Sequence, residues 1–142
     1  KIRNHMKQAN IYLFTSDYGE GWGAVANEAM NSGCAMVANQ AAGSTPTLCR
    51  DEENALIYKN GNFEEFYQCV VRLIQDADLR ERLGRNAYAS MTKTWNAENA
   101  VMRLLKQCER MLAGKEITFE AEGPMSKAPI IAPGKMYKHL KK

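Results

Sequence analysis

Residues 11–38, IYLFTSDYGEGWGAVANEAMNSGCAMVA, contain the pattern that decides the fold. Ile11–Phe14 is a short apolar run rich in strand-forming residues, and a glycine-rich loop follows it. Ala24–Asn31 is a run of good helix formers, which Gly33 ends in the manner of a C-terminal glycine. The next apolar run, Cys34–Ala38, predicts a second buried strand. Strand, loop, helix and strand within about 30 residues form the βαβ unit of a parallel sheet, so we predict an α/β fold.

Downstream of this unit the pattern changes from strands to helices. Ala55–Tyr58 predicts a third short strand. Asn62 and Asp78, each followed by a glutamate three residues later, predict two helices that begin with capping boxes. Asn96 is predicted to cap a third helix. We therefore expect parallel strands followed by a run of helices.

The last predicted helix carries an apolar stripe and ends at Gly114. The spacing of the stripe indicates one helical face, which we assign to the core. The stripe consists of Val101, Leu104, Leu105, Cys108, Met111 and Leu112. We expect residues 1–114 to form part of one domain and residues 115–142 to form a flexible, basic, proline-containing tail.

The composition is that of a soluble globular protein. The 142 residues are 45% hydrophobic and 25% charged, which excludes a disordered chain, a collagen-like repeat and a disulfide-stabilised miniprotein. No apolar run approaches the ~20 residues that span a bilayer, and Lys1–Asn10 is too polar for a signal peptide. The chain begins without methionine and in the middle of a pattern, so we expect it to be a piece of a longer protein.

Charge is distributed unevenly along the chain. The segment Gly123–Lys142 contains five of the 19 basic residues and none of the 16 acidic ones, which leaves the preceding part slightly acidic. The folded part therefore has no footprint for nucleic acid, whereas the tail could make a peripheral contact with an anionic membrane. The four cysteines form no C-x-x-C pair, and the chain has two histidines. We expect a reduced, metal-free, cytoplasmic protein that could reach the inner face of the membrane.

The loop that contains Gly19, Gly21 and Gly23 is the segment that carries chemistry. It leaves the carboxyl end of a predicted parallel strand, where open α/β sheets bind ligands. Glycines allow backbone N–H groups to approach a ligand closely, and the following helix N-terminus offers unpaired donors with a partial positive charge. The expected ligand is therefore an anion, most simply a phosphate.

Two carboxylates, Glu20 and Glu28, lie on either side of the helix start. Glu28 lies roughly 6–7.5 Å along the helix at ~1.5 Å per residue, a distance at which ribose hydroxyls rather than phosphates are expected. Glu20, at the mouth of the loop, could meet hydroxyls at the other end of a diphosphate. The arrangement suits a nucleoside-diphosphate sugar.

The segment Glu20–Met30, E-G-W-G-A-V-A-N-E-A-M, resembles the E-x7-E signature of the glycosyltransferase family 4 (glycogen synthase-like, group 1) enzymes. The flanking segments Ile11–Ser16, Gly33–Ala38 and Asp51–Tyr58 resemble the strands before and after that signature, and the resemblance covers residues 8–112. It implies a GT-B fold, of which this chain would be the C-terminal half of the Rossmann-like nucleotide-sugar domain.

The resemblance also implies a role for each residue of the signature. Glu28 would bind the ribose hydroxyls of the donor, and Glu20 would contact the transferred sugar and stabilise the transition state. Backbone amides would bind the rest of the donor: those of Gly21, Trp22 and Gly23 the sugar hydroxyls, and those of Ala24 and Val25 the diphosphate. Fixed donors of this kind would replace a metal ion, so the family implies neither metal nor cofactor.

The implied activity is retaining transfer of a hexose to an acceptor hydroxyl, in polysaccharide or glycoconjugate biosynthesis. The acceptor would be a saccharide or a glycolipid. The N-terminal acceptor-binding domain and the basic residues that clamp the diphosphate would lie upstream in the same protein, so we expect this chain alone to be incomplete and inactive. Ala42 and Thr47 stand where the family often carries a glycine and a glutamate.

Alternatives remain open at this point. Sugar-nucleotide epimerases and glycosidic phosphorylases share the GT-B architecture, and a non-catalytic nucleotide-sugar-binding fragment or a helical scaffold would catalyse no reaction. The glycine spacing is also similar to a dinucleotide fingerprint, but that pattern requires a glycine at Ala24 and an acid at Asn39. Trp22 could equally pack beneath the loop.

Overall fold

Three parallel strands form the centre of the structure, a computed structural model that describes residues 2–128. The strands are β1 (Ile11–Phe14), β2 (Ala35–Asn39) and β3 (Ala55–Tyr58). They lie side by side in chain order, and both pairs are parallel. The predicted α/β fold is confirmed; β2 begins at Ala35, one residue later than expected, because Cys34 still belongs to the turn that follows the preceding helix.

Helices surround the sheet and continue after it, as the sequence predicted. They are α1 (Ile2–Met6), α2 (Ala24–Asn31), α3 (Thr45–Leu48), α4 (Phe63–Gln75), α5 (Ala77–Ala89) and α6 (Ala97–Leu112). A π-helical segment, Ser90–Thr94, joins α5 to α6. Within the described part of the chain, none of the helices combines the length and the apolar character that crossing a membrane requires.

Side chains cap the three long helices, but one cap differs from the prediction. Asn62 accepts a hydrogen bond from the N–H of Glu65 at 3.1 Å, and Asn96 caps α6 as expected. The expectation that Asp78 begins α5 is wrong, because Asp76 accepts from the N–H of Leu79 at 2.8 Å. Asp78 instead lies in the first turn, where a carboxylate interacts favourably with the helix dipole.

The two faces of the sheet are covered by different helices. Met36 of β2 packs in one cluster with Met30 of α2, and Val37 packs in the other with Leu73 of α4. All five residues of β2 are buried, as is typical of a central parallel strand. Because β1 pairs with β2 in parallel, the carboxyl ends of both strands lie at the same edge of the sheet, where the glycine-rich loop begins.

The apolar stripe of α6 is not part of the core, so the prediction that assigned it there is wrong. Its aliphatic and methionine side chains are between 52% and 89% exposed: Val101, Leu104, Leu105, Met111 and Leu112. Cys108 is exposed as well. Periodicity identified an apolar helix face correctly, but it does not specify which element covers that face.

The buried side of α6 faces residues 115–128. Gln107 is 2% exposed, accepts a hydrogen bond from the N–H of Thr118 at 3.2 Å, and donates to its hydroxyl at the same distance. Arg103 donates to the backbone oxygens of Glu122 and Pro124 at 2.6 and 3.0 Å. Residues 115–128 therefore run back along α6. The flexibility expected of residues 115–142 stays a prediction, and residues 129–142 lie outside the described part.

We expect Leu112→Glu to change the free energy of unfolding by no more than about 0.5 kcal/mol, because Leu112 is 89% exposed. The matched core variant Leu83→Ala removes a fully buried side chain and should cost about 2–5 kcal/mol. Urea unfolding of both variants measures the difference. A loss at Leu112→Glu as large as that of Leu83→Ala would show that this chain itself covers the stripe.

Candidate functional site

Hydrogen bonds between residues close in sequence hold the glycine-rich loop at the carboxyl end of β1. Asp17 Oδ1 accepts from the N–H of Gly19 at 2.8 Å, and the N–H of Glu20 donates to the carbonyl of Asp17 at 3.0 Å. Ser16 Oγ donates to Glu20 Oε2 at 3.5 Å. These contacts place the half-buried Glu20 carboxylate at the mouth of the loop.

The loop ends at Gly23, whose backbone is left-handed with φ 76° and ψ 64°. A Cβ at this position would lie 2.5 Å from the ring of Phe14, so both the conformation and the space require glycine. No side chain caps α2. The first N–H groups of the helix, those of Ala24 and Val25, consequently have no intrahelical partner and are available to a ligand.

A second loop, which follows β2, packs against the glycine-rich loop and is hydrogen-bonded to it. Gly43 packs so closely against the glycine-rich loop that a Cβ there would lie 1.6 Å from the carbonyl oxygen of Gly21. The N–H of Ser44 donates to the carbonyl of Trp22 at 3.0 Å. Sequence reasoning missed this role of Gly43, because no local pattern links the two loops.

Trp22 is tied to α2 and to the π-helical segment. Its indole N–H donates to Asn27 Oδ1 at 2.8 Å, and the Asn27 amide donates to the sulfur of Met91 at 3.7 Å. The Trp22 ring also lies 6.5 Å from the ring of Trp95, centroid to centroid. Since 42% of Trp22 is exposed, the same geometry serves packing and still presents indole surface to a ligand.

Glu28 is exposed on α2 and lines a cavity of about 470 Å³ between α2 and the π-helical segment. Asn31 and Trp95 line the same cavity, and the indole nitrogen of Trp95 is buried without a hydrogen-bond partner in the described structure. The pKa of Tyr12 is raised, chiefly by burial and then by its electrostatic interactions with Cys34 and Glu28. Glu28 therefore lies at the edge of a mostly apolar cavity, close to β1.

The seven site residues predicted from the sequence all lie on one loop and the helix that follows it. Four are exposed, namely Gly21, Trp22, Ala24 and Glu28; Glu20 and Val25 are half-buried, and Gly23 is buried. Their individual roles stay predictions. Across residues 2–128 we found no group of three or more His, Cys, Asp or Glu side chains that could hold a metal ion.

A family model and one related protein each match more than half of this chain. The family model described as "Glycosyl transferases group 1" matches residues 1–90. The uncharacterized glycosyltransferase MJ1069 of Methanocaldococcus jannaschii is 28% identical over 107 residues, which cover 75% of this chain and 27% of that protein.

Solved structures match with the same fold. The C-terminal domain of the glycosyl transferase group 1 family protein LpcC of Francisella tularensis is 30% identical with a TM-score of 0.59, covering 65% of this chain and 46% of that domain. Alr3699/HepE of Anabaena, solved with UDP and with UDP-glucose, matches over 78% of this chain and 29% of its own, at 24% identity and a TM-score of 0.61 for the UDP complex. The chain thus spans less than half the length of each of these proteins, and its fold is that of GT-B C-terminal domains, as predicted.

Proposed function

This chain belongs to the group 1 glycosyl transferases, and we propose that it forms the donor-binding part of a retaining hexosyltransferase. The observation that carries the proposal is the uncapped start of α2 behind the left-handed Gly23, at the carboxyl end of β1. Backbone N–H groups and the helix dipole together favour a phosphate at such a position. The two glutamates on either side of it can accept hydrogen bonds from hydroxyl groups, as a sugar and a ribose require.

In this proposal the amides of Ala24 and Val25 bind the diphosphate, and those of Gly21, Trp22 and Gly23 bind the hydroxyls of the transferred sugar. Glu28 binds the ribose, and Glu20 contacts the sugar. During transfer, the bond between the anomeric carbon and the phosphate oxygen breaks, a bond forms from that carbon to the acceptor oxygen, and the hydroxyl proton leaves with the diphosphate. Fixed N–H donors stabilise the departing negative charge, so the proposed reaction needs no metal or cofactor.

We favour uridine diphosphate as the nucleotide. Alr3699/HepE, which has the same fold over most of this chain, was solved with UDP and with UDP-glucose. Exposure of Gly21 and Ala24 supports access of such a ligand to the loop and to the first turn of α2.

The complete enzyme in this proposal includes an upstream acceptor-binding domain of the same protein, and its acceptor is a saccharide or a glycolipid. The exposed stripe of α6 supports such a partner domain, because covering aliphatic side chains of this kind lowers the free energy of the protein. The proposed location is the cytoplasm, and contact of the lysine-rich end of the chain with an anionic membrane remains a prediction.

Glu28→Gln should weaken UDP binding by this chain roughly tenfold or more, because a hydrogen bond to a charged group contributes about 1.5–3 kcal/mol. The substitution keeps the shape of the side chain and removes its charge. Glu109→Gln, at an exposed position of α6, is the matched control. Calorimetric titration with UDP measures both variants; equal affinities would contradict the assignment of Glu28 to the ribose.

A further inference from the structure

A second pocket lies at the carboxyl edge of the sheet, on the side covered by α4. It has a volume of about 410 Å³ and is lined at the strand ends by Thr15 and Asp17 after β1, Asn39 at the end of β2, and Asn60 after β3. We call it the edge pocket. All three strands contribute to it, at the edge where open parallel sheets bind their ligands, and none of the residues proposed to bind the donor lines it.

One wall of the edge pocket is aromatic. Phe66 packs against Tyr58 with ring centroids 5.1 Å apart and against Phe63 with centroids 5.9 Å apart. Phe63 lines the pocket and is 75% exposed, although α4 begins with this residue and any helix former could stand there. Phe63 thus places an exposed aromatic ring at the pocket and is not part of the buried core.

Polar side chains also line the edge pocket, and hydrogen bonds hold two of them in position. Asn39 donates to the side-chain oxygen of Asn60 at 2.7 Å and accepts from the N–H of Ala41 at 3.0 Å. Both polar atoms of the buried Asn39 are used in these bonds, so Asn39 holds Asn60 in position. The groups left to meet a ligand are the amide of Asn60 and the carboxylate of Asp17. Amide and carboxylate groups held in place in this way recognise hydroxyl groups with little loss of side-chain entropy on binding.

The charge of the lining selects among ligand classes. The residues that line the edge pocket include Asp17 and neither lysine nor arginine, so a phosphate or another anion is disfavoured. A pyranose combines an apolar C–H face, which suits the aromatic wall, with hydroxyl groups on its rim, which suit the amide and carboxylate wall. We propose that the edge pocket binds a neutral pyranose ring.

The position of the edge pocket indicates the role of the bound pyranose in the proposed reaction. Asp17, which lines the edge pocket, precedes Glu20 by three residues. The edge pocket and the loop proposed to hold the donor sugar therefore both lie at the carboxyl end of β1. A saccharide in the edge pocket is accordingly assigned as the part of the acceptor that extends from the upstream acceptor-binding domain to this chain. This last assignment rests on the proposed function, whereas binding of the saccharide does not.

The test is an amide-resolved NMR titration of the full 142-residue chain with methyl glycosides of glucose, galactose and mannose, with N-acetylglucosamine, and with uridine. We expect at least one saccharide to shift the backbone signals of residues 60–62 and the side-chain amides of Asn39 and Asn60. Phe63→Ala should weaken that binding about tenfold, whereas Tyr67→Ala, an exposed aromatic of α4 outside the pocket, should leave it within about twofold.

Three results would overturn the proposal: no shift at these positions with any saccharide, equal binding by wild type and Phe63→Ala, or shifts there with uridine alone, which would make the pocket a nucleobase site. A parallel titration with UDP, followed at residues 21–25, separates this test from that of the proposed function. If the chain does not bind UDP but the saccharide shifts are observed, the result contradicts the proposed donor site and supports the edge-pocket proposal.

Discussion

Gly43→Ala is expected to abolish detectable UDP binding and to lower the stability of the fold. A Cβ at residue 43 would lie 1.6 Å from the carbonyl oxygen of Gly21, 2.6 Å from its carbonyl carbon and 2.9 Å from the carbonyl oxygen of Glu20. All three atoms belong to the backbone, so no side chain can rotate away. The glycine-rich loop itself must move, at a cost of about 2 kcal/mol or more.

The same movement displaces the groups that the donor is proposed to contact. Misplacement of a binding group by about 1 Å can cost about 100-fold in function. Gly21→Ala is the matched control for stability, because a Cβ at residue 21 meets nothing within 4 Å. Thermal unfolding and a UDP titration of both variants check the prediction; a Gly43→Ala protein that binds UDP like the wild type would show that the second loop does not position the first.

Gly84→Ala is expected to destabilise the protein by about 2–3 kcal/mol, in the opposite direction to the usual effect of this substitution in a helix. Alanine in a helix interior ordinarily gains about 0.5–1 kcal/mol over glycine. Gly84 of α5, however, packs where a Cβ would lie 2.3 Å from the carbonyl oxygen of Gly33 and 3.6 Å from the nitrogen of Ala35. The helix would have to withdraw from the turn that leads into β2, and the lost packing outweighs the gain in propensity.

Thermal unfolding measures this effect, and a fall of at least about 5 °C is expected for a domain of this size. Arg85→Ala is the control on the same helix, because its ion pair with Glu81 is exposed and contributes at most about 0.5 kcal/mol. A Gly84→Ala protein with an unchanged or higher melting temperature would mean that α5 does not approach the sheet this closely.

Local patterns were sufficient to predict the elements that build the site. The apolar runs at residues 11–14 and 55–58 coincide with β1 and β3, and the helix formers at residues 24–31 coincide with α2. In each case the signal lies within the element, because apolar runs, helix propensity and a terminal glycine are properties of neighbouring residues. The start of α2, and with it the candidate phosphate position, could therefore be located from the sequence.

Features that depend on distant parts of the chain could not be predicted. The stripe on α6 has the spacing of a buried face, yet Gln107 is the buried residue of that helix, since Thr118 satisfies its amide group. Contact between Gly43 and Gly21 joins loops that follow different strands. The edge pocket likewise requires three strand ends to meet, which only the folded sheet specifies.

An NMR titration of this chain with UDP, GDP and ADP tests the central claim most directly, because it locates a weakly bound nucleotide residue by residue. We expect UDP to shift the amide signals of residues 21–25 and Glu28. At the same UDP concentration, we expect these shifts to be strongly reduced in Glu28→Gln and retained in Glu109→Gln. A well-dispersed spectrum in which no nucleotide shifts these signals, or in which the shifts lie elsewhere, would contradict the assignment of the α2 start as the donor site.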